Sequence, residues 1–182
     1  MLYHGTPDNF DEPPILMPQT KGRDFGLGFY LTTYKEQAES WGNLIHQRRF
    51  YMWLKANNYP FPAPNETPTR FLKEYQKYYE KDYYIKIYSL DLKELKEIYN
   101  ITEFKKYDEE WFDFVIYCRD NPNYKPNHDI TIGPLADGGD LPNIILRYKD
   151  GEIEKEEALG LIKFKKDNDQ YCIHNDTYCE NI

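Results

Sequence analysis

Two hydrophobic periods run along this chain, and the points where one gives way to the other mark its elements. Leu2-Tyr3-His4-Gly5-Thr6 reads as a short strand that stops at Gly5 and turns at Pro7-Asp8. An irregular loop with Pro13, Pro14 and Pro18 follows. Gly26-Leu27-Gly28 then leads into a compact strand, Phe29-Tyr30-Leu31-Thr32-Thr33. From Tyr34 to about Leu54, Ala38, Trp41, Leu44 or Ile45, and Arg48 recur at spacings of three and four, which predicts a helix. Prolines 60, 62, 64 and 68 break the pattern before a polar, aromatic helix expected from about Thr69 to Glu80. Tyr83 to Leu90 alternates as a strand, and Asp108 to Arg119 is an amphipathic helix carrying Trp111, Phe114 and Val115. Asp129 to Gly133 is a strand that ends at Gly133-Pro134. Helical patterns return near Leu141–Tyr148 and Glu154–Leu161, and Gln170 to His174 closes as a strand. Strands and helices mix without regular βαβ units, so the expected class is α+β.

Length fits a single domain, 1–182, because neither an internal repeat nor a dividing linker is visible; residues about 43–82 read as a helical insertion within it. No run approaches the roughly 18 uncharged apolar residues of a spanning helix. The start of the chain lacks a basic segment followed by an apolar one, so the expectation is a cytoplasmic protein without a membrane partner. A net charge of −8 argues against a broad nucleic-acid surface. It leaves room for a local basic lane at Arg48-Arg49 or at Lys163-Phe164-Lys165-Lys166, although the second run reads more simply as a solvated face. Cys118, Cys172 and Cys179 read as ordinary thiols. Cys172-x-His174 with Cys179 lacks a fourth ligand for a metal, and none is expected.

The residues with chemical potential each have a plain structural reading when taken singly. A lone His4 is usually structural, Tyr30 and Trp41 fit a core, and Asp129 and Asp137 fit turns or caps. Gly26-x-Gly28 precedes a strand rather than opening a helix, which disfavours a dinucleotide fingerprint. Taken in order they form a larger pattern: Tyr3-His4-Gly5-Thr6 on a first strand, then Asp24-Phe25-Gly26-Leu27-Gly28-Phe29-Tyr30-Leu31-Thr32 and a helix. Asp129-Ile130-Thr131-Ile132-Gly133-Pro134-Leu135-Ala136-Asp137 and Gln170 follow at the far end. This order resembles the His–Tyr–Glu branch of the ADP-ribosyltransferases, which includes the poly(ADP-ribose) polymerases and diphtheria-type toxins. The chain is also similar over nearly its whole length to a bacterial family of unknown function associated with toxin–antitoxin loci.

The resemblance implies an ADP-ribosyltransferase-like split β-sheet with an NAD cleft and flanking helices. It implies NAD as co-substrate, a macromolecular acceptor (protein or nucleic acid) and a cognate antitoxin. His4 would bond a hydroxyl of the adenosine ribose, and Gly5, beside Thr6, would present its backbone to the nicotinamide carboxamide. Tyr30, beside Phe29, would lie on one face of the nicotinamide ring and Trp41 on the other, where stacking and cation–π attraction favour a flat cation. Asp24, Gly26 and Gly28 would shape the turn before the strand, and Thr6, Asp24, Gly28 and Phe29 would complete the NAD-binding set with His4, Gly5, Tyr30 and Trp41. Ala38 stands where the polymerases commonly have a serine. RNA 2′-phosphotransferases share this fold, but their arginine-rich site has no counterpart around His4 and Tyr30.

The third catalytic position departs from the branch, which commonly has a glutamate where Gln170 stands. Glutamine still bonds a hydroxyl but brings no charge. A unit charge about 4 Å from an oxocarbenium-like centre is worth on the order of 4 kcal/mol at an effective dielectric near 20. That is about three powers of ten in rate. Asp169 faces away if Gln170 faces in; a slow mono-transferase could persist on positioning and ring stacking alone, or another acid, for instance Asp24 or Asp137, could reach the site through folding. The expectations are therefore a mono-transferase with His4, Tyr30 and Gln170 as its catalytic set, or an NAD- or partner-binding module without turnover.

Overall fold

The computed structural model describes residues 1–11, 16–61, 73, 75, 83–136, 140–163 and 169–174. In chain order these form β1 (Leu2–Thr6), β2 (Phe29–Thr32), α1 (Lys35–Ala56), β3 (Tyr84–Tyr88), α2 (Leu92–Ile98), β4 (Ile101–Glu103), α3 (Glu109–Asp120), β5 (Ile130–Pro134), α4 (Leu141–Lys149), α5 (Lys155–Ile162) and β6 (Asp169–Ile173). The six strands make one mixed sheet in the order β3-β1-β2-β6-β5-β4. All neighbours are antiparallel except β4 and β5. The molecule is mixed α and β, as expected. The β4–α3–β5 segment, however, is one βαβ unit that the hydrophobic pattern does not reveal, because β4 has only three residues.

Register divides the sheet's two faces. Partners opposite one another in an antiparallel ladder share a face. Tyr3 opposes Thr32, Thr32 opposes Gln170, and Tyr30 opposes Cys172. Tyr3, Gly5, Tyr30, Thr32, Gln170 and Cys172 therefore share one side, and Leu2, Phe29, Leu31, Tyr171 and Ile173 the other. On the first side Phe25, Trp111, Phe112, Val115, Ile145 and Ile162 form a buried cluster with Cys172, joining α3, α4 and α5 to the sheet. On the second, Leu2, Phe29, Leu31, Ile130, Ile132 and Ile173 gather partly buried Leu92 and Leu95 of α2.

Helix α1 lies against β1 on the first side. Its buried residues are Ala38, Gly42, His46, Phe50 and Leu54, four apart throughout. Hydrophobic spacing alone puts Trp41, Leu44 and Arg48 on that stripe, and all three are exposed instead. The inner stripe begins with small residues because helix and strand touch backbone to backbone. A Cβ at Gly5 would overlap the carbonyl oxygen of Ala38 and press on the nitrogen of Gly42. The expected insertion, about 43–82, begins inside unbroken α1. Of the helix expected from Thr69 to Glu80, Lys73 and Tyr75 are helical, and the rest lies outside the described residues.

One junction sets the site. β1 and β2 share a single registered pair, Tyr3 with Thr32, whereas β1 pairs with β3 at five positions. Past that pair the two strands no longer form a ladder. The sheet thus has two halves, β3-β1 and β2-β6-β5-β4, meeting at a short seam.

Candidate functional site

The seam brings together the ends of β1, β2 and β6 with the turn that precedes β2. His4 reaches across the gap: its Nδ1–H donates to the carbonyl oxygen of Tyr30 at 2.7 Å. Its ring lies on Phe29, centroids 4.4 Å apart, with Phe10 at 5.9 Å. Burial lowers the His4 pKa, the Tyr30 carbonyl opposes that, and the Arg23 charge adds to the lowering. A neutral ring that donates from Nδ1 leaves Nε2 as an acceptor. Thr6, on the same strand, is committed to the turn, where its hydroxyl accepts the Asp8 N–H at 3.1 Å. Arg49 of the expected basic lane forks onto Asp8, at 2.8 and 2.7 Å.

Tyr30 has two roles in the structure. Its hydroxyl donates to the Gly26 carbonyl at 2.8 Å and accepts the Phe25 N–H at 3.0 Å. It therefore clamps the turn in which Gly26 takes φ +81°, a conformation suited to glycine. Burial holds the hydroxyl well above the usual tyrosine range, so it acts as a fixed dipole rather than as an acid. Its ring is the other role. The Arg23 guanidinium lies over it with Cζ 5.5 Å from the centroid, and the same carbon is 5.4 Å from the centroid of Trp41 on α1. Tyr30 and Trp41 thus both lie within cation–π range of one planar cation of the protein's own. Among the described residues no carboxylate pairs with Arg23.

Gln170 is buried and points to the Tyr30 side, while Asp169 is exposed, in line with strand alternation. Its Nε2 donates to Oδ2 of Asp24 at 2.8 Å. The other carboxylate oxygen, Oδ1, accepts from Arg119 Nε at 2.7 Å and lies 2.5 Å from Nη2. Asp24 does more than shape the turn: folding carries its carboxylate onto the side chain of Gln170. Gly28 sits against the Cys172 sulfur and the Ile173 carbonyl. Burial pushes the Cys118 thiol up to about 12 and raises Cys172 well above its ordinary value, so neither is a ready thiolate nucleophile.

Other sequence candidates lie elsewhere. Asp129 locks a loop, its Oδ2 accepting the Asn100 N–H at 2.9 Å. Lys163 reaches over the Tyr107 ring at 5.4 Å. Pro13, Pro14, Asp137, Cys179 and residues 164–166 lie outside the described residues. Sequence reasoning missed Arg23 and Arg119. A cation directly before Asp24 is a readable hint of the first. Nothing local marks Arg119, which meets Asp24 from 95 positions away.

No curated protein and no solved structure matches the chain. A profile of the family described as "Protein of unknown function (DUF3990)" matches residues 1–66 and 63–182. With those two segments spanning every element of the seam, the chain belongs to that family.

Proposed function

We propose that this protein is an NAD-dependent mono-ADP-ribosyltransferase that breaks the nicotinamide–ribose bond and passes ADP-ribose to a macromolecular acceptor. The Arg23 guanidinium within cation–π range of both Tyr30 and Trp41 carries the reading. Two aromatic rings that both engage one flat, delocalised cation have the quadrupole preference for a pyridinium ring. The order β1-β2-β6 adds support, because it sets His4, Tyr30 and Gln170 on three neighbouring strands at the seam.

In this reading Tyr30 and Trp41 hold the nicotinamide ring once the Arg23 guanidinium has moved off them. His4 Nε2 accepts from a hydroxyl of the adenosine ribose, and the Gln170 carbonyl oxygen accepts from a hydroxyl of the ribose that carries nicotinamide. Nicotinamide departs as the neutral base with the electron pair of the C–N bond. The acceptor's nucleophile then bonds the anomeric carbon and gives up its proton. The products are nicotinamide, the modified acceptor and one proton. Chain elongation is not expected, since Gln170 brings no charge. An ADP-ribosyltransferase-like fold, a cytoplasmic toxin or effector role and a cognate antitoxin rest on the sequence resemblance alone.

A second reading, an NAD- or partner-binding module without turnover, draws on one observation: the Gln170 amide is already bonded to Asp24.

Nicotinamide release and NAD titration, on wild type beside Trp41→Ala, test both. Trp41 is 38% exposed, so its removal leaves the fold intact. The expected result is release by the wild type and NAD binding weakened about three- to tenfold in the variant. Binding without release, even with lysate as acceptor source, selects the module. No NAD binding at all rejects the transferase.

A further inference from the structure

The structure assigns Asp24 as the positioning residue of the third catalytic site, an inference that rests on the NAD reading above. A carboxylate only accepts hydrogen bonds, so the Gln170 group that faces Asp24 must be the amide NH2. The carbonyl oxygen then faces away from Asp24. Arg119 uses Oδ1 and leaves Oδ2 to the glutamine, which fixes the carboxylate as well. Gln170 and Tyr30 lie on one face of the sheet, and Asp24 belongs to the turn that Tyr30 clamps. The chain Arg119–Asp24–Gln170 therefore sets which end of the amide meets a ribose hydroxyl. It also points the negative end of that amide dipole toward where the leaving of nicotinamide creates positive charge, with the Asp24–Arg119 ion pair behind it.

This arrangement predicts that restoring the glutamate of the wider branch is harmful here. Gln170→Glu sets two carboxylates at hydrogen-bonding distance. Asp24→Asn must still turn its oxygen to the Arg119 donors, so its NH2 faces residue 170. That flips the Gln170 amide and presents N–H to the ligand. Combining Asp24→Asn with Gln170→Glu satisfies every partner again, because the amide introduced at position 24 donates to the carboxylate introduced at position 170.

The test measures kcat and KM for nicotinamide release in the wild type, both single variants and the double variant. Side-chain amide spectra of ¹⁵N-glutamine-labelled protein are recorded alongside. Each single variant is expected to lose on the order of tenfold or more in kcat with KM little changed, the scale of a charge-assisted bond. The double variant is expected to recover to within about threefold of wild type or to exceed it. The Gln170 NH2 resonance is expected to move in Asp24→Asn without NAD present. A Gln170→Glu enzyme at least as fast as wild type, or an unmoved amide resonance in Asp24→Asn, overturns the assignment. A wild type that neither binds NAD nor releases nicotinamide rejects the functional reading instead, and the amide spectra still decide the orientation of Gln170.

Discussion

His174 lies fully buried beneath the turn that leads into β2, and both of its ring nitrogens are engaged. Nδ1–H donates to the Leu27 carbonyl at 2.8 Å, and Nε2 accepts from the Thr131 hydroxyl at 2.7 Å. The Thr131 oxygen is in turn 2.7 Å from His128 Nε2, a direction of donation that requires a neutral His174. Burial lowers its pKa from 6.5 to about 4, and His128 pushes the same way. Between those values the unfolded chain binds a proton that the folded chain refuses, so protonation favours unfolding. Stability is whole above about pH 6.5, falls as the solution is acidified, and the loss is complete near pH 4, about 3 kcal/mol in all. His4 and His128, both lowered by burial, add to the loss. Denaturant unfolding of wild type and His174→Asn at pH 7.5 and 4.5 checks this. Equal pH dependence in the two proteins would refute it. His4, Tyr30 and Gln170 are legible in the sequence because the order of short motifs survives without geometry. The pairing of Asp24 with Gln170 is not, since 146 positions separate them.

Helix α1 shows what periodicity conceals. Reading the stripe by hydrophobicity selects Trp41 and Leu44, but close packing on a strand selects small residues, and the inner line runs through Ala38 and Gly42. The exposed Trp41 is then free to face Arg23. Gly5→Ala should be costly, ~3 kcal/mol or more, because both obstacles are backbone atoms of α1 and neither can swing aside. An alanine variant that melts within ~2 °C of wild type would show that α1 rides over β1 more loosely than this. Short elements are the other blind spot. α2 has seven residues, none of them buried, and its clear signal is the Asp91 cap, whose side chain accepts the N–H groups of Lys93 and Glu94. The boundaries that read correctly from sequence, such as α3 behind the Asp108 cap, combine a cap with a buried aromatic stripe.

Across the whole molecule, class is readable and strand order is not, because the ladders that define it join residues from opposite ends of the chain. β2 pairs with β6 at four positions, while it meets its sequence neighbour β1 at one. That single pair gives the protein a seam, and a seam is also a boundary for cooperative opening. Protection of backbone amides passes along continuous ladders. β2, β6 and β5 should therefore exchange with deuterium as one block, and β1 with β3 as a second of lower opening free energy. Native-state exchange that returned a single free energy for all five strands would mean that α1 welds the halves together. A ligand lodged in the seam touches both blocks, so it should raise the weaker toward the stronger. Binding would then be visible as the merging of two exchange classes into one, without any assay of chemistry.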